Sequence, residues 1–169
     1  MNLTQMRTRV RQDLRDEDAS NYRWTDAELN RHIDHALREM SMAVPLQAKA
    51  TLVTTAGSRE LSTVTLTGLV AIEAAEYPVG KYPPRYVSFS HWVNTITLLI
   101  DQVPAGGESV SIYYGKLHTL DATSSTLPEY LEDLLAAGTE AYAALEWANF
   151  AINRVNLGGE DTWRSYLSW

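Results

Sequence analysis

The chain of 169 residues contains no cysteine. That excludes disulfide staples, thiolate metal sites and cysteine nucleophiles, and it suits a reducing compartment. Long apolar runs are also missing. The longest strongly apolar stretch, Ile96 to Ile100, is far too short to span a bilayer, so no membrane partner is expected. Met1 to Asp18 carries Arg7, Arg9, Arg11 and Arg15 and no apolar core, which is not the pattern of a signal peptide. Basic residues run out toward the other end. Between Asp121 and Glu146 stand six carboxylates (Asp121, Glu129, Glu132, Asp133, Glu140, Glu146) and no Lys or Arg. Of the formal charge of -7, residues 1–49 contribute 8 basic against 8 acidic, residues 50–117 contribute 4 against 5, and residues 118–169 contribute 2 against 8. A surface of that sign repels phosphate rather than gripping it.

What is present is ordinary for a globular chain: 45% hydrophobic and 21% charged residues, with 9 Gly and 6 Pro, enough for one core and a subdomain. Leu3, Met6, Val10 and Leu14 recur at helical spacing, and Asp16-Glu17-Asp18 followed by Ser20-Asn21 ends that helix. Thr25-Asp26-Ala27-Glu28 reads as a capping box for a second helix with the stripe Leu29, Ile33, Ala36, Leu37, Met40 and Val44, stopped by Pro45. The period then changes. Thr51–Thr55, Glu60–Thr67, Val70–Glu76, Arg85–Ser90, Thr95–Ile100 and Glu108–Tyr114 are rich in Val, Ile, Thr and aromatics and are separated in several places by Gly and Pro. Thr126-Leu127-Pro128-Glu129 reads as a second capping box, opening a helix that no strong breaker stops before Gly158-Gly159. That is about 30 residues, or roughly 45 Å.

The expected fold class is α+β: a helical bundle of two N-terminal helices and one long C-terminal helix, an inserted small antiparallel β-sandwich or barrel, and an extended C-terminal tail. The expected boundaries are 1–49 for the helical pair, 50–117 for the β-subdomain, 118–157 for the long helix and 158–169 for the tail. On a helical wheel, Leu131, Leu134, Gly138, Leu145 and Ile152 share a side and form the expected core stripe of the long helix. Trp147 and Phe150 project from nearly the opposite side, which gives the helix two apolar faces, one for the protomer and one for a neighbour. The tail carries Trp163 and Trp169, two of the five Trp; aromatics of this kind anchor interfaces.

No catalytic constellation is found. His32 and His35 stand three apart on the second helix, but a zinc site needs three or four ligands, and a solvated helix face explains the pair better than a metal hydrolase does. His91 and His118 lie in no nucleophile motif, and there is no phosphate-cradling or dinucleotide glycine loop. No cofactor is expected. Arg7, Arg11 and Arg15 share one side of the first helix, set either to meet phosphate or an acidic protein or to pair internally with Asp13, Asp16 and Glu17. Tyr77, Tyr82, Tyr86, Trp92, Tyr113 and Tyr114 suit core and sheet pairing, with a carbohydrate-binding face as the alternative.

In this order, the elements resemble the head-to-tail connector, or adaptor, proteins of tailed bacteriophages. The likeness rests on the opening amphipathic helix, Trp24-Thr25-Asp26-Ala27-Glu28-Leu29, the exit at Val44-Pro45, Tyr82-Pro83-Pro84-Arg85-Tyr86, Trp92-Val93-Asn94-Thr95, Ile112-Tyr113-Tyr114-Gly115-Lys116-Leu117-His118, and Thr126-Leu127-Pro128-Glu129. The resemblance implies a structural virion protein of the neck, assembled in the host cytoplasm. It would form a ring, typically a dodecamer, beneath the portal protein, extend the DNA channel, complete the head and retain the genome. The next neck or tail protein would dock on it; a tail terminator or stopper is the nearest alternative identity. Residues implied for portal docking are Trp163, Arg164, Tyr166, Leu167 and Trp169, with Arg7, Arg11 and Arg15 as polar contacts. Trp147, Phe150, Gly138 and Ala141 are implied between protomers. Glu129, Glu132, Asp133, Glu140 and Glu146 would line a channel through which genome DNA passes without sequence-specific binding.

Overall fold

Three α-helices bracket two antiparallel sheets in a computed structural model that describes residues 1–155. The helices are α1 (Leu3–Asp13), α2 (Asp26–Ala43) and α3 (Glu132–Val155), the last preceded by a 3-10 turn, Glu129–Leu131. The strands are β1 (Leu46–Val53), β2 (Glu60–Ser62), β3 (Leu69–Glu76), β4 (Tyr86–Val87), β5 (Phe89–Trp92), β6 (Thr95–Leu98) and β7 (Ser109–Lys116). The α+β class stands. No helix among the described residues is long and apolar enough to cross a membrane. Two compact units result: residues 1–39 with the segment from Thr119 onward, and residues 40–118.

In the helical unit, local chemistry sets the helix ends. Asn2 and Gln5 form a reciprocal capping box on α1, each side chain accepting the other's backbone N–H at 2.9 Å. At the far end Arg15 N–H donates to the Gln12 carbonyl and Asp16 N–H to the Arg11 carbonyl, the Schellman pattern, with Arg15 at φ 53° in the place glycine usually takes. Thr25 and Glu28 cap α2 as the sequence implies: Glu28 accepts the Thr25 N–H at 2.6 Å, and Thr25 Oγ1 accepts the Glu28 N–H at 3.2 Å. The second expected box does not form. The Thr126 hydroxyl instead accepts the Thr119 N–H at 2.8 Å, closing a loop bridged at Leu120 and Ser125, and Pro128 caps the 3-10 turn without any side-chain bond.

In the sheet unit, β1 starts at Leu46, earlier than the residue-50 boundary expected, because Leu46-Gln47-Ala48-Lys49 already alternates inward and outward as soon as Pro45 has ended α2. The four-stranded sheet has the order β1-β7-β3-β4 and the three-stranded sheet β2-β6-β5. The stretch expected as one strand, Arg85–Ser90, is divided between them, with Ser88 as the changeover. Ala75, Val110, Ile112 and Tyr114 from the first sheet and Leu61, Ile96 and Leu98 from the second share one buried cluster. Gly115 lets β7 pass Pro45 closely: a Cβ there would meet the proline ring at 2.8 Å.

Candidate functional site

The long helix carries eight of the residues with an expected role, and its faces depart from the sequence reading. Leu131, Leu135, Ala136, Thr139 and Ala143 are the buried ones. Leu134, Leu145 and Ile152, expected in the core, are exposed. At Gly138 α2 comes close: a Cβ there would lie 3.3 Å from Ala36 Cβ. Gly138 therefore packs within its own protomer, whereas Ala141 is exposed. Thr139, fully buried, returns its hydroxyl to the Leu135 carbonyl at 2.8 Å.

Trp147 and Phe150, expected to serve a neighbour, fold onto their own unit. Trp147 sits edge-on to Trp24 with centroids 6.2 Å apart, Phe150 tilts against Trp147 at 5.3 Å, and the Arg23 guanidinium lies 4.4 Å from the Trp147 centroid. Both stay partly exposed. They form one wall of an open groove of about 590 Å³ whose other side is the α1–α2 connection.

The acidic segment is more neutralised than its composition implies. Glu132 pairs with the Met1 ammonium, Asp133 with Arg9 at 2.7 Å, and Glu146 with Arg31 and, at 2.5 Å, with His32 Nε2. Burial pushes the Glu146 carboxyl up, but the His32 and Arg31 hydrogen bonds outweigh it and hold Glu146 below the usual carboxylate range. Glu140 moves the other way: burial first, then the neighbouring Asp13, raise it. Glu129 is exposed. Asp121 is taken up by its loop, accepting four bonds from the backbone and hydroxyls of Thr123 and Ser124, which hold it well below the carboxylate range.

The basic candidates divide. Arg11 is 5% exposed and donates to Asp16 (2.6 Å), the Trp24 carbonyl (2.9 Å) and Asp26 (2.8 Å), beneath the Tyr22 ring. It is internal structure, which corrects its expected place on a contact surface. The cause is the Schellman turn, which carries Asp16 back beside Arg11, so that the alternative of internal pairing with Asp16 is the one that forms. Arg7 pairs with Asp26 and Asn30 at 3.3 Å each, and Arg15 is exposed.

Three of the four histidines have partners within the protein, and His91 is exposed on β5. His32 meets Glu146, His35 stacks on Tyr142 at 4.2 Å, and buried His118 ties the ends of the sheet unit together, its N–H donating to Ser41 Oγ at 3.0 Å and its Nε2 lying 3.1 Å from the Val44 carbonyl. Among the described residues no three His, Asp or Glu cluster as metal ligands. Of the sheet aromatics, Tyr114 is core, Tyr77 donates to Glu108 at 2.6 Å and Tyr113 to Glu76 at 2.9 Å, while Tyr82 and Trp92 stand exposed. Trp163, Arg164, Tyr166, Leu167 and Trp169 lie outside the described residues.

Residues 1–166 match the family described as SU10 adaptor protein. No curated protein sequence matches. Among solved structures, the neck of an empty GTA particle computed with C6 symmetry is similar at 15% identity, covering 84% of this chain and 77% of that chain, with a TM-score of 0.34. That likeness is too loose to say how this chain is built.

Proposed function

From the premise that this chain belongs to the SU10 adaptor protein family, the phage head-to-tail adaptors, we propose that it is a structural neck component of the virion. Its copies form a dodecameric ring beneath the portal protein, extend the DNA channel, retain the packaged genome and receive the next neck or tail protein. The observation that carries this reading is the family match, which runs from residue 1 to residue 166 and so takes in both units.

The electrostatics support passage of DNA. Nonspecific affinity for DNA comes from cations that displace counterions at phosphates. Along the acidic helix, Arg9 and Arg31 are engaged by Asp133 and Glu146, while Glu129 is exposed and Glu140 faces Asp13. A wall of Glu129, Glu132, Asp133, Glu140 and Glu146 offers phosphate no unoccupied cation, and a ring repeats that wall. Portal docking falls to Trp163, Arg164, Tyr166, Leu167 and Trp169, with Arg7 and Arg15 as flanking polar contacts. Trp147 and Phe150, partly exposed, remain open to a neighbouring protomer.

The test uses DNA-filled heads that lack the protein. Adding the full chain should stop genome leakage and make the heads competent to join tails, and deletion of residues 159–169 should abolish attachment while the circular dichroism spectrum is unchanged. Failure of the full chain to bind portal-bearing heads overturns the reading. Normal binding by the truncated chain removes the tail from it.

A further inference from the structure

The exposed face of α3 has a pattern of its own. Leu134, Ala137, Ala141, Leu145, Ala148 and Ile152 are all exposed and recur at steps of three and four. At 3.6 residues per turn they fall within about 40° of Ala141. Tyr130, in the 3-10 turn just before the helix, extends the row. The nearest charged side chains, Asp133 and Glu140, lie about 80° to 100° round the helix. From Tyr130 to Ile152 the seam is roughly 33 Å long. Its large members remain 57% (Leu134), 59% (Leu145), 60% (Ile152) and 76% (Tyr130) exposed.

We propose that this seam binds a second copy of itself, antiparallel, about a two-fold axis at Ala141. The order of sizes along the row carries the choice of occupant. Antiparallel alignment at Ala141 sets Leu134 opposite Ala148 of the second copy, Ala137 opposite its Leu145, Tyr130 opposite its Ile152, and Ala141 opposite itself. Each leucine meets an alanine, so knobs fall into holes along the central turns without voids or collisions. Parallel alignment sets Leu134 on Leu134 and Ala137 on Ala137, alternately crowding and emptying the contact. Area agrees with the pairing. At about 100 Å² for each Leu or Ile and about 150 Å² or more for Tyr, each copy contributes on the order of 500 Å². The pair then reaches the roughly 1,000 Å² expected of a specific interface. A two-fold contact closes at two copies, so it is separate from the head-to-tail contact of a ring and describes the protein before assembly.

The absence of cysteine makes the test clean. Helix axes about 10 Å apart, less two backbone radii of about 2.3 Å, leave about 5 Å between Cα atoms at the two-fold axis, within disulfide range. Ala141→Cys in the full chain should therefore cross-link with itself on mild oxidation. Leu134→Cys alone should not, because antiparallel copies hold their residues 134 about 21 Å apart, but an equimolar mixture of Leu134→Cys and Ala148→Cys should. Sedimentation of the full chain should show a dimer by about 100 µM, and Leu145→Glu, a change at an exposed position, should weaken it by about tenfold or more with an unchanged circular dichroism spectrum. Self-cross-linking of Leu134→Cys overturns the antiparallel register. A full chain monomeric at every concentration, the result expected if residues 156–169 or another protein cover the seam, overturns the proposal. A ring that binds heads while Ala141→Cys stays reduced overturns this pairing and leaves the adaptor reading intact; cross-linking without head binding does the opposite.

Discussion

Replacing Arg11 by Met removes a cation from a closed site, and the structure says what is left behind. The Asp16 carboxylate, 7% exposed, loses its 2.6 Å partner and keeps only the N–H groups of Arg23 at 2.7 Å and Trp24 at 3.3 Å. The Trp24 carbonyl loses its 2.9 Å donor. Breaking a buried pair by deleting one member costs about 3–5 kcal/mol, because the other charge stays buried. The orphaned carbonyl adds about 1 kcal/mol, whereas the contact to half-exposed Asp26 is worth less than about 1 kcal/mol. Arg11→Met should therefore destabilise the protein by about 4 kcal/mol in urea denaturation followed by far-ultraviolet circular dichroism. Arg11→Met with Asp16→Asn should recover about 2 kcal/mol of that, since the stranded charge is gone. A loss below about 1 kcal/mol would refute the reasoning, placing Arg11 among surface ion pairs and returning it to the residues available to a partner.

Three further outcomes follow from local geometry and charge. Val93, solvent-exposed in the two-residue turn between β5 and β6, sits at φ 53°, a region β-branched residues avoid; Val93→Gly should raise stability by about 1 kcal/mol after the entropy cost of glycine, read as a higher urea midpoint. Arg15→Gly, at the left-handed position ending α1, should also stabilise by about 1 kcal/mol, and if Arg15 touches the portal the same variant should weaken head binding. Glu140 has a folded-state pKa above its unfolded one, so the fold favours its protonated form and loses stability as pH rises from the ordinary carboxylate range through the raised value. Glu140→Gln should be more stable than the parent at pH 7 by about a few tenths of a kcal/mol, screened by its partial exposure, and the gain should vanish below the ordinary carboxylate range in paired melts.

Where a single interaction type dominates, the sequence was a good guide. Thr25 and Glu28 are three residues apart and need only each other to cap α2, and strand alternation needs only one buried face. Failures came where two faces compete. On α3 the bulky residues Leu134, Leu145 and Ile152 outweigh Ala136, Thr139 and Ala143 on any wheel, yet the face buried is the one that carries Leu135 with the small residues, and at Gly138 α2 passes within 3.3 Å of where a Cβ would lie. At that crossing the room available, not hydrophobicity, sets the residue, and it is legible only once the neighbour is known. Arg11 is a mixed case: of its two expected roles the internal pairing with Asp16 is the one that forms, while its burial depends on a left-handed turn at Arg15 where the chain has no glycine to announce one. Trp147 and Phe150 were set apart from the expected stripe and given to a neighbour, because their partners Arg23 and Trp24 lie more than a hundred residues earlier.

The pairing of β1 with β7 starts Leu46 opposite Lys116, and the Ser41–His118 hydrogen bond joins the segments just outside them. Entry to and exit from the sheet unit are thus neighbours a few ångströms apart. For the rest of the chain the strands and loops of residues 46–116 are equivalent to a short turn. Their removal asks only for a few bridging residues, and their exchange for another sheet, or their lengthening, carries a loop-closure cost that barely depends on what is inserted. A chain built this way can refit its β-part to new neighbours while its helices keep theirs.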